Sequence, residues 1–82
     1  MTASISVLLF ARYAELLGAE RLELAASAPL TVGAVIERLR SLPGGAQLPA
    51  APLCAVNLRQ ARLADIVAPG DEVALLPPLA GG

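Results

Sequence analysis

The chain has 82 residues, a formal net charge of −1 and no histidine, and its six basic residues are all arginines. A chain of this length builds one small domain with a modest core and little room for an internal catalytic cleft. Dispersed arginines argue against nucleic-acid binding, which requires a concentrated positive surface. Because lysine and histidine are both absent, we expect no self-contained enzyme and no metal site.

Apolar residues make up 56% of the chain, but much of this fraction is alanine. No apolar run approaches the ~20 residues that span a bilayer, and the first residues lack the basic segment of a secretory signal. These features predict a soluble cytoplasmic protein that does not bind membranes. Cys54 is the only cysteine, so an intrachain disulfide is excluded. We expect Cys54 in the core, on a strand face that it shares with Val56 and Leu58.

The first third of the chain predicts a strand, a short helix and a second strand. Residues 4–10 alternate polar and apolar side chains before becoming apolar on both faces, which is typical of a central strand. Residues 12–17 have the spacing of one or two helical turns, and residues 20–24 alternate as a return strand. The two aromatic residues, Phe10 and Tyr13, are expected to pack in the core.

The middle of the chain predicts one long helix. Thr31 is the expected N-cap, and the apolar residues from Val32 to Leu42 recur three and four positions apart. The Pro-Gly-Gly sequence at 43–45 stops this helix, and residues 46–52 are expected to form a loop.

The last third of the chain predicts three strands connected by turns. The apolar run at 53–58 is expected to be a strand, followed by a polar turn at 59–60 and a partner strand at 61–63. Residues 65–70 form a compact turn that ends in Pro-Gly. Residues 71–76 are the expected last strand.

The order of these elements predicts an α+β fold. A mixed sheet of four or five strands carries one long helix on one face, with parallel pairing across the helical crossover and antiparallel outer hairpins. This is the β-grasp, or ubiquitin-like, architecture. We expect the β-grasp domain to span residues 1–76 and an extended, flexible tail to span residues 77–82. Val73 and Leu75 point inward on the last strand, which makes Leu76 an outward apolar residue beside the tail.

The end of the chain is the predicted functional site. At average glycine usage, a closing Gly81-Gly82 pair arises by chance only ~0.5% of the time. Without side chains, these residues could pass through a narrow channel and leave the terminal carboxylate accessible. Pro77 and Pro78 cannot donate ladder hydrogen bonds, so they are expected to form a stiff spacer after the last strand.

The terminal carboxylate is a poor electrophile at neutral pH and needs activation before it can react. Adenylation by ATP would convert Gly82 into a mixed anhydride, which could then accept an amine or sulfur. The chain has no phosphate-binding loop and no lysine to contact phosphate, so another enzyme must carry out the ATP step. The residues alone leave protein modification and sulfur transfer open.

Other charged residues give no catalytic constellation. Asp71 and Glu72 are neighbours on a strand and point to opposite faces, so they do not form an acid–base pair. Arg59 and Arg62 flank a predicted turn and could contact an acidic partner, although surface arginines are usually only solvated.

Three blocks of sequence resemble one known family. They are Val7-Leu8-Leu9-Phe10-Ala11 with Glu15-Leu16-Leu17-Gly18, the internal Ala55-Val56-Asn57, and the closing Gly70-Asp71-Glu72-Val73-Ala74-Leu75-Leu76-Pro77-Pro78-Leu79-Ala80-Gly81-Gly82. The closing block is the most specific of the three. On these residues the chain resembles the small, sulfur-carrying subunit of molybdopterin synthase over essentially its whole length.

The resemblance implies a non-catalytic subunit with a reactive terminus. A dedicated E1-like adenylyltransferase would use ATP to adenylate Gly82, which would then become a thiocarboxylate. The tail would insert into the large catalytic subunit of the synthase, within an expected heterotetramer, and donate sulfur to cyclic pyranopterin monophosphate. The chain itself would bind no cofactor. Gly81 would provide clearance, and the partner interfaces would be formed by Leu76, Pro77, Pro78, Leu79 and Ala80.

Two features depart from the family pattern. Ala14 stands where members often have arginine, and the nearest arginine, Arg12, lies two positions earlier. The resemblance therefore does not extend to an ion pair between this position and a partner. Leu75 and Leu76 replace the aromatic residues that commonly precede the two prolines, which reduces contact area but keeps an apolar anchor. Two alternatives remain: a sulfur carrier for thiamine or cysteine biosynthesis, and a ubiquitin-like protein modifier or interaction module.

Overall fold

The fold was analysed in a computed structural model that describes residues 3–78. In chain order its elements are β1 (Ser4–Leu9), α1 (Arg12–Leu17), β2 (Arg21–Ala25), β3 (Leu30–Thr31), α2 (Val32–Arg40), a 3-10 turn (Gly45–Gln47), β4 (Leu53–Val56), β5 (Arg59–Ala61), β6 (Ile66–Val67) and β7 (Glu72–Leu76).

Five strands form one mixed sheet in the order β2-β1-β7-β4-β5. β1 and β7 run parallel, whereas the other neighbouring strands of this sheet run antiparallel. Side chains of α2 pack into one core with residues of this sheet, and the predicted β-grasp fold is confirmed. The strand that leads to the tail, β7, therefore lies in the centre of the sheet.

The core lies between the sheet and α2. The helix contributes a set of side chains at the spacing of one helix face, each 0% exposed: Val32, Val35, Ile36 and Leu39. Val73 and Leu75 of β7 are also 0% exposed, as the sequence predicts. Burial of one such side chain contributes roughly 1.5–3 kcal/mol to the free energy of unfolding.

The main helix is shorter than the sequence predicts. Thr31 is its N-cap as expected, and Thr31 Oγ1 accepts a hydrogen bond from a first-turn N–H at 3.0 Å. The helix ends at Arg40 after nine residues, where the Ser41 hydroxyl donates to the Arg38 carbonyl oxygen at 2.7 Å. Leu42 is outside the helix because a residue that precedes proline disfavours helical backbone geometry.

The two aromatic residues have different environments. Tyr13 of α1 is buried, as predicted, with 6% of its surface exposed. Phe10 was expected in the core, but it is 44% exposed. Because Leu9 at the end of β1 faces the core, the alternation of side chains turns the next residue outward. The prediction of a core position for Phe10 is therefore wrong.

The β4–β5 hairpin turns two residues earlier than predicted. β4 ends at Val56 and β5 begins at Arg59, so Asn57 and Leu58 form a two-residue loop. Both residues have positive φ angles, 49° and 72°, which is the type I′ geometry that matches the twist of paired strands. Leu58 projects from the tip with 91% of its surface exposed. The predicted strand over residues 53–58 would place Leu58 on the buried face with Cys54. In the structure Leu58 does not lie on that face.

A small second sheet is absent from the sequence predictions. β3 pairs with β6 antiparallel, with Leu30 opposite Val67. The loop before β6 also accepts hydrogen bonds from the N–H groups of Val32 and Gly33, at 2.9 Å each, which satisfies donors in the first turn of α2. Strands of two residues are too short for alternation to reveal them.

The turn before β7 contains a carboxylate with a lowered pKa. Asp71 Oδ2 accepts a hydrogen bond from the Ala68 N–H at 2.9 Å. This bond, and secondarily the Asn57 amide, stabilises the carboxylate and lowers the pKa of Asp71. The ionised Asp71 therefore stabilises the fold at pH values above the usual aspartate pKa of about 3.9. That contribution is lost as the pH falls through the folded-state pKa.

We expect acid to destabilise the wild-type chain more than the Asp71→Asn variant. Asparagine keeps an acceptor oxygen for the Ala68 N–H but does not titrate. The urea midpoint should fall between about pH 5 and about pH 3 in both proteins, and the fall should be smaller in the variant. Denaturation curves at the two pH values measure this difference. Equal losses would show that Asp71 does not contribute to acid sensitivity.

Candidate partner-binding site beside the C-terminal tail

The tail leaves the domain from the middle of the sheet. β7 lies between β1 and β4, and Leu76 is its last residue. Pro77 and Pro78 follow directly outside the strand, the first half-buried and the second exposed. The other predicted site residues lie outside the described residues, and their roles stay predictions: Leu79, Ala80, Gly81 and Gly82.

The sheet face opposite α2 is apolar in its β4–β7 half. Strand pairing places Leu53 opposite Leu76, and Ala55 opposite Ala74, with their side chains on this face. Leu53 is 46% exposed and Leu76 is 38% exposed, so the outward apolar position predicted for Leu76 is confirmed. Adjacent apolar side chains that remain exposed are typical of an interaction surface.

A shallow depression of about 350 Å³ lies in this half of the face. The residues that line it are Leu53, Cys54, Ala55, Leu58, Gln60 and Leu76. We call the surface formed by Leu53, Ala55, Leu58, Gln60 and Leu76 the tail-side patch. The small side chain of Ala55 lies between larger neighbours, which explains the concave shape. A depression of this size fits one or two apolar side chains of a partner protein.

The β1–β2 half of the same face is polar. Glu23 accepts hydrogen bonds from the hydroxyls of Ser6 at 2.8 Å and Ser4 at 2.9 Å. The Arg21 guanidinium lies 3.3 Å from the Glu23 carboxylate and 3.8 Å from that of Glu72. The two serine hydrogen bonds, with Ser6 the larger contributor, lower the pKa of Glu23. These satisfied polar groups lie at the Glu72 end of the face, whereas Leu8 of β1 lies beside Ala74 and continues the apolar surface.

The cysteine is placed for packing. Cys54 is 3% exposed, and its thiol donates to the Pro52 carbonyl oxygen at 3.3 Å. Burial raises the pKa of the Cys54 thiol, which disfavours the reactive thiolate at neutral pH. The predicted core position is confirmed.

The arginines considered from the sequence are not brought together. Arg12 begins α1 and donates to the side-chain oxygen of Gln47 at 3.5 Å. Arg59 begins β5, and Arg62 follows that strand. Within residues 3–78, these three arginines form no ion pair with a carboxylate. Their role in partner binding stays open.

No group of three or more potential ligand side chains in the described part of the chain could hold a metal ion. No helix described here is long and apolar enough to cross a membrane.

A five-stranded mixed sheet around one helix, with the chain leaving from a central strand, defines a ubiquitin-like β-grasp domain. The ThiS family model matches residues 7–82, and the chain belongs to this family of ubiquitin-like sulfur carriers. A comparison with curated proteins gave no significant sequence match.

Solved structures with the same fold include archaeal and bacterial proteins. SAMP1 from Haloferax volcanii is 28% identical, with a TM-score of 0.80 over 96% of this chain and 99% of that one. A candidate molybdopterin converting factor subunit 1 from Pyrococcus furiosus is 21% identical, with a TM-score of 0.78 over 95% and 100% of the two chains. A subunit in the complex of subunits 1 and 2 of molybdopterin-converting factor from Helicobacter pylori is 21% identical, with a TM-score of 0.68 over 96% and 99%. At 21% identity, the last two structures support the fold alone.

The sequence predictions located part of this site and missed the rest. Leu76, Pro77 and Pro78 were predicted, whereas Leu53 and Leu58 were not. The alternation that placed Cys54 inward also placed its neighbour Leu53 outward, so that residue could have been found from the sequence. Its position opposite Leu76 depends on strand register, which the sequence does not show.

Proposed function

We propose that this chain is the sulfur carrier of molybdenum cofactor biosynthesis. The observation that carries the proposal is the position of the Leu-Leu-Pro-Pro-Leu-Ala-Gly-Gly sequence directly at the end of the central strand β7, beside an exposed apolar patch. Membership of the ThiS family supports a carrier whose terminal carboxylate is activated. In this role the chain is the sulfur-donating, non-catalytic subunit of molybdopterin synthase.

The proposed chemistry takes place at Gly82. A carboxylate oxygen attacks the α-phosphorus of ATP, pyrophosphate leaves, and a glycyl adenylate forms. A persulfide of a sulfurtransferase then displaces AMP and forms an acyl disulfide, and a second thiol cleaves its S–S bond, which leaves a thiocarboxylate on Gly82 and a disulfide between the two thiols. Within the large subunit, the thiocarboxylate sulfur displaces an oxygen substituent of cyclic pyranopterin monophosphate, and water then cleaves the acyl–sulfur bond, which leaves the sulfur on the pterin and restores the Gly82 carboxylate. Because no step needs a side chain of this domain, the absence of histidine and lysine is compatible with the role.

The proposed partners are two proteins that receive the same tail. An E1-like adenylating enzyme binds ATP and activates Gly82. After sulfur loading, the large synthase subunit accepts the thiocarboxylate-bearing tail within a heterotetramer. Gly81 gives clearance in a narrow channel, while Leu76, Pro77, Pro78, Leu79 and Ala80 contact both partners. The structural likeness to subunit 1 in the Helicobacter pylori complex is compatible with binding to a second subunit.

Mass spectrometry after coexpression tests the proposal. Coexpression with the cognate adenylating enzyme and a sulfur source should exchange one oxygen for sulfur, and fragmentation should place the change at Gly82. A parallel coexpression without the adenylating enzyme is the control. An unchanged mass, with an enzyme that is active on another carrier, would refute the sulfur role. If the sulfur is loaded, the large subunit is added. Formation of molybdopterin would then distinguish this pathway from the thiamine and cysteine alternatives.

A second candidate function is protein modification. The observation in its favour is the likeness to a small archaeal modifier protein from Haloferax volcanii, which is 27% identical with a TM-score of 0.80. In this role the activated Gly82 would form an isopeptide bond with a lysine of another protein. Target proteins enlarged by the mass of this chain would support modification. Since the chain has no lysine, it could not form lysine-linked chains on itself.

A further inference from the structure

We infer that the free edge of β2 is a self-association site, at which β2 of a second copy of this chain pairs antiparallel with β2 of the first. This edge lies on the opposite side of the sheet from β4 and β5, so the site is separate from the tail-side patch. It does not depend on the chemistry proposed for Gly82. The site is defined by open backbone groups, by the opposite charges of Arg21 and Glu23, and by the register that suits both.

Hydrogen bonds at the two ends of the β1–β2 pair show which backbone groups of β2 face β1. The Leu9 N–H donates to the Glu20 carbonyl oxygen at 2.9 Å. At the other end, the Ala26 N–H donates to the Ala3 carbonyl oxygen at 3.0 Å. Because bonded and non-bonded pairs alternate along an antiparallel ladder, the even-numbered residues of β2 direct their N–H and C=O groups to β1. The odd-numbered residues direct theirs away from the sheet.

The outward-facing backbone groups belong to Arg21, Glu23 and Ala25. The Ala25 carbonyl oxygen accepts a hydrogen bond from Arg38 Nη1 at 2.6 Å, which confirms that this carbonyl does not face β1. Within residues 3–78, β2 has no strand neighbour on its outer side. The N–H and C=O groups of Arg21 and Glu23 are therefore available to another strand, and unpaired groups of this kind are a template for pairing with a further chain.

The side chains at this edge carry opposite charges two residues apart. Arg21 and Glu23 lie on the face opposite α2, and their side chains are 59% and 50% exposed. Charged side chains on an edge strand usually prevent pairing with another chain. That protection requires repulsion between the two strands. An edge with one positive and one negative charge instead allows a second copy to bring each charge against its opposite.

One register of two β2 strands satisfies both the backbone groups and the charges. In an antiparallel pair, an outward-facing residue must lie opposite another outward-facing residue. Placing Arg21 opposite Arg21, or Glu23 opposite Glu23, brings like charges together, which destabilises a cross-strand pair. With Arg21 opposite Glu23 of the second copy, both symmetry-related pairs join opposite charges and exchange backbone N–H···O bonds. The charges thus select the register that is centred on Leu22.

The residue at the centre of this register is apolar. Leu22 is half-buried and packs against the core on the α2 side of the sheet. In the paired strands it lies opposite Leu22 of the second copy, in a non-hydrogen-bonded pair whose Cα atoms approach to about 4.5 Å. Pairing therefore covers the remaining exposed surface of Leu22. The contact is isologous, and it closes because each copy uses its one β2 edge.

The paired arrangement keeps both C-terminal tails accessible. β1 separates β2 from β7, so pairing at the β2 edge leaves β7 and β4 uncovered. The two copies together form a continuous sheet with five strands from each. Their β7 strands run in opposite directions, about 24 Å apart at ~4.8 Å per strand spacing. The two tails therefore leave from opposite ends of this sheet, and each can enter a separate partner protein.

Sedimentation of the full chain and of charge variants tests the proposal. Because the interface is one short strand, we expect a weak wild-type dimer with a Kd on the order of 0.1 mM. Glu23→Arg places two arginines on each edge, and Arg21→Glu places two glutamates there. Each variant should weaken dimerisation at least about 10-fold, because like charges then lie opposite each other in both pairs. An equimolar mixture of the two variants restores opposite charges and should form a heterodimer with wild-type affinity.

The matched control combines Arg21→Glu with Glu23→Arg. This double variant has the wild-type composition and keeps opposite charges facing each other, so it should dimerise like the wild type. Amide hydrogen exchange locates the contact. The N–H groups of Arg21 and Glu23 are open in the monomer, so their exchange should slow as the wild-type concentration is raised through the Kd. Thermal midpoints verify that each variant is folded.

Several results would overturn the proposal. A wild-type chain that stays monomeric at about 1 mM, ten times the expected Kd, would leave the edge to a strand of another protein. Dimerisation that persists in Glu23→Arg, or that Leu76→Ser removes instead, would place the second copy elsewhere on the surface. If both single variants are folded monomers and their mixture also stays monomeric, the register is wrong and the proposed pairing fails.

Discussion

Addition of one alanine after Gly82 is expected to abolish adenylation and sulfur loading while the domain remains folded. The added residue moves the carboxylate by ~3.5 Å and places a methyl group where the bare glycines would enter a narrow channel. A displacement of only 1 Å can reduce a rate 10²-fold, so we expect a loss of at least about 100-fold. Pyrophosphate exchange and mass spectrometry of the terminal peptide measure both steps.

The matched control adds the same alanine after Met1. This variant has the same mass and composition but an unchanged C-terminus, so it should be activated at the wild-type rate. Both variants should keep the wild-type thermal midpoint, because neither addition replaces a residue of the described core. Wild-type sulfur loading in the C-terminally extended chain would refute the assignment of Gly82 as the reactive residue.

A large loss of stability is expected for Gly45→Ala. Gly45 is buried where the 3-10 turn packs under the end of α2, and an added Cβ would overlap the Leu39 carbonyl oxygen. The carbonyl belongs to the backbone, so the turn or the helix end must move. We expect a loss of about 3 kcal/mol in the free energy of unfolding. For a domain of this size, the thermal midpoint should fall by roughly 12–24 °C.

Gly18→Ala is the matched control for this steric effect. Gly18 ends α1 with a φ of 73°, but an added Cβ there would have no neighbour within 4 Å. Only the backbone preference is lost, at a cost of about 1 kcal/mol. Thermal unfolding of the two variants should therefore differ severalfold in the size of the shift. Similar shifts would show that crowding at Gly45 is relieved by movement of the turn.

Local sequence patterns predicted most of the secondary structure and the centre of the fold. The alternation in β1 and β7 and the spacing of Val32, Val35, Ile36 and Leu39 each lie within one element, so short-range periodicity was sufficient. The N-cap Thr31 and the helix-ending Gly18 were also found, because capping depends on the identity of adjacent residues. The outward position of Leu76 followed from the same alternation.

Predictions for turns and very short strands were less successful. The β4–β5 turn was placed at residues 59–60, although Asn57 is the better left-handed residue and could have indicated the earlier turn. The leucine at its second position gives no turn signal, which concealed the type I′ loop. The β3–β6 pair has only two residues in each strand, so its position depends on contacts with the start of α2.

By itself, the sequence determined the β-grasp class, the inward and outward faces of the long strands, and the two prolines and two glycines that follow the last strand. These properties depend on residue identity and on spacing along the chain. Only the tertiary structure decided that Leu53 lies opposite Leu76, that Leu58 is exposed at the tip of the β4–β5 hairpin, and that Gly45 packs under α2. Pairing register and packing join residues that are far apart in the chain, and no local pattern specifies such contacts.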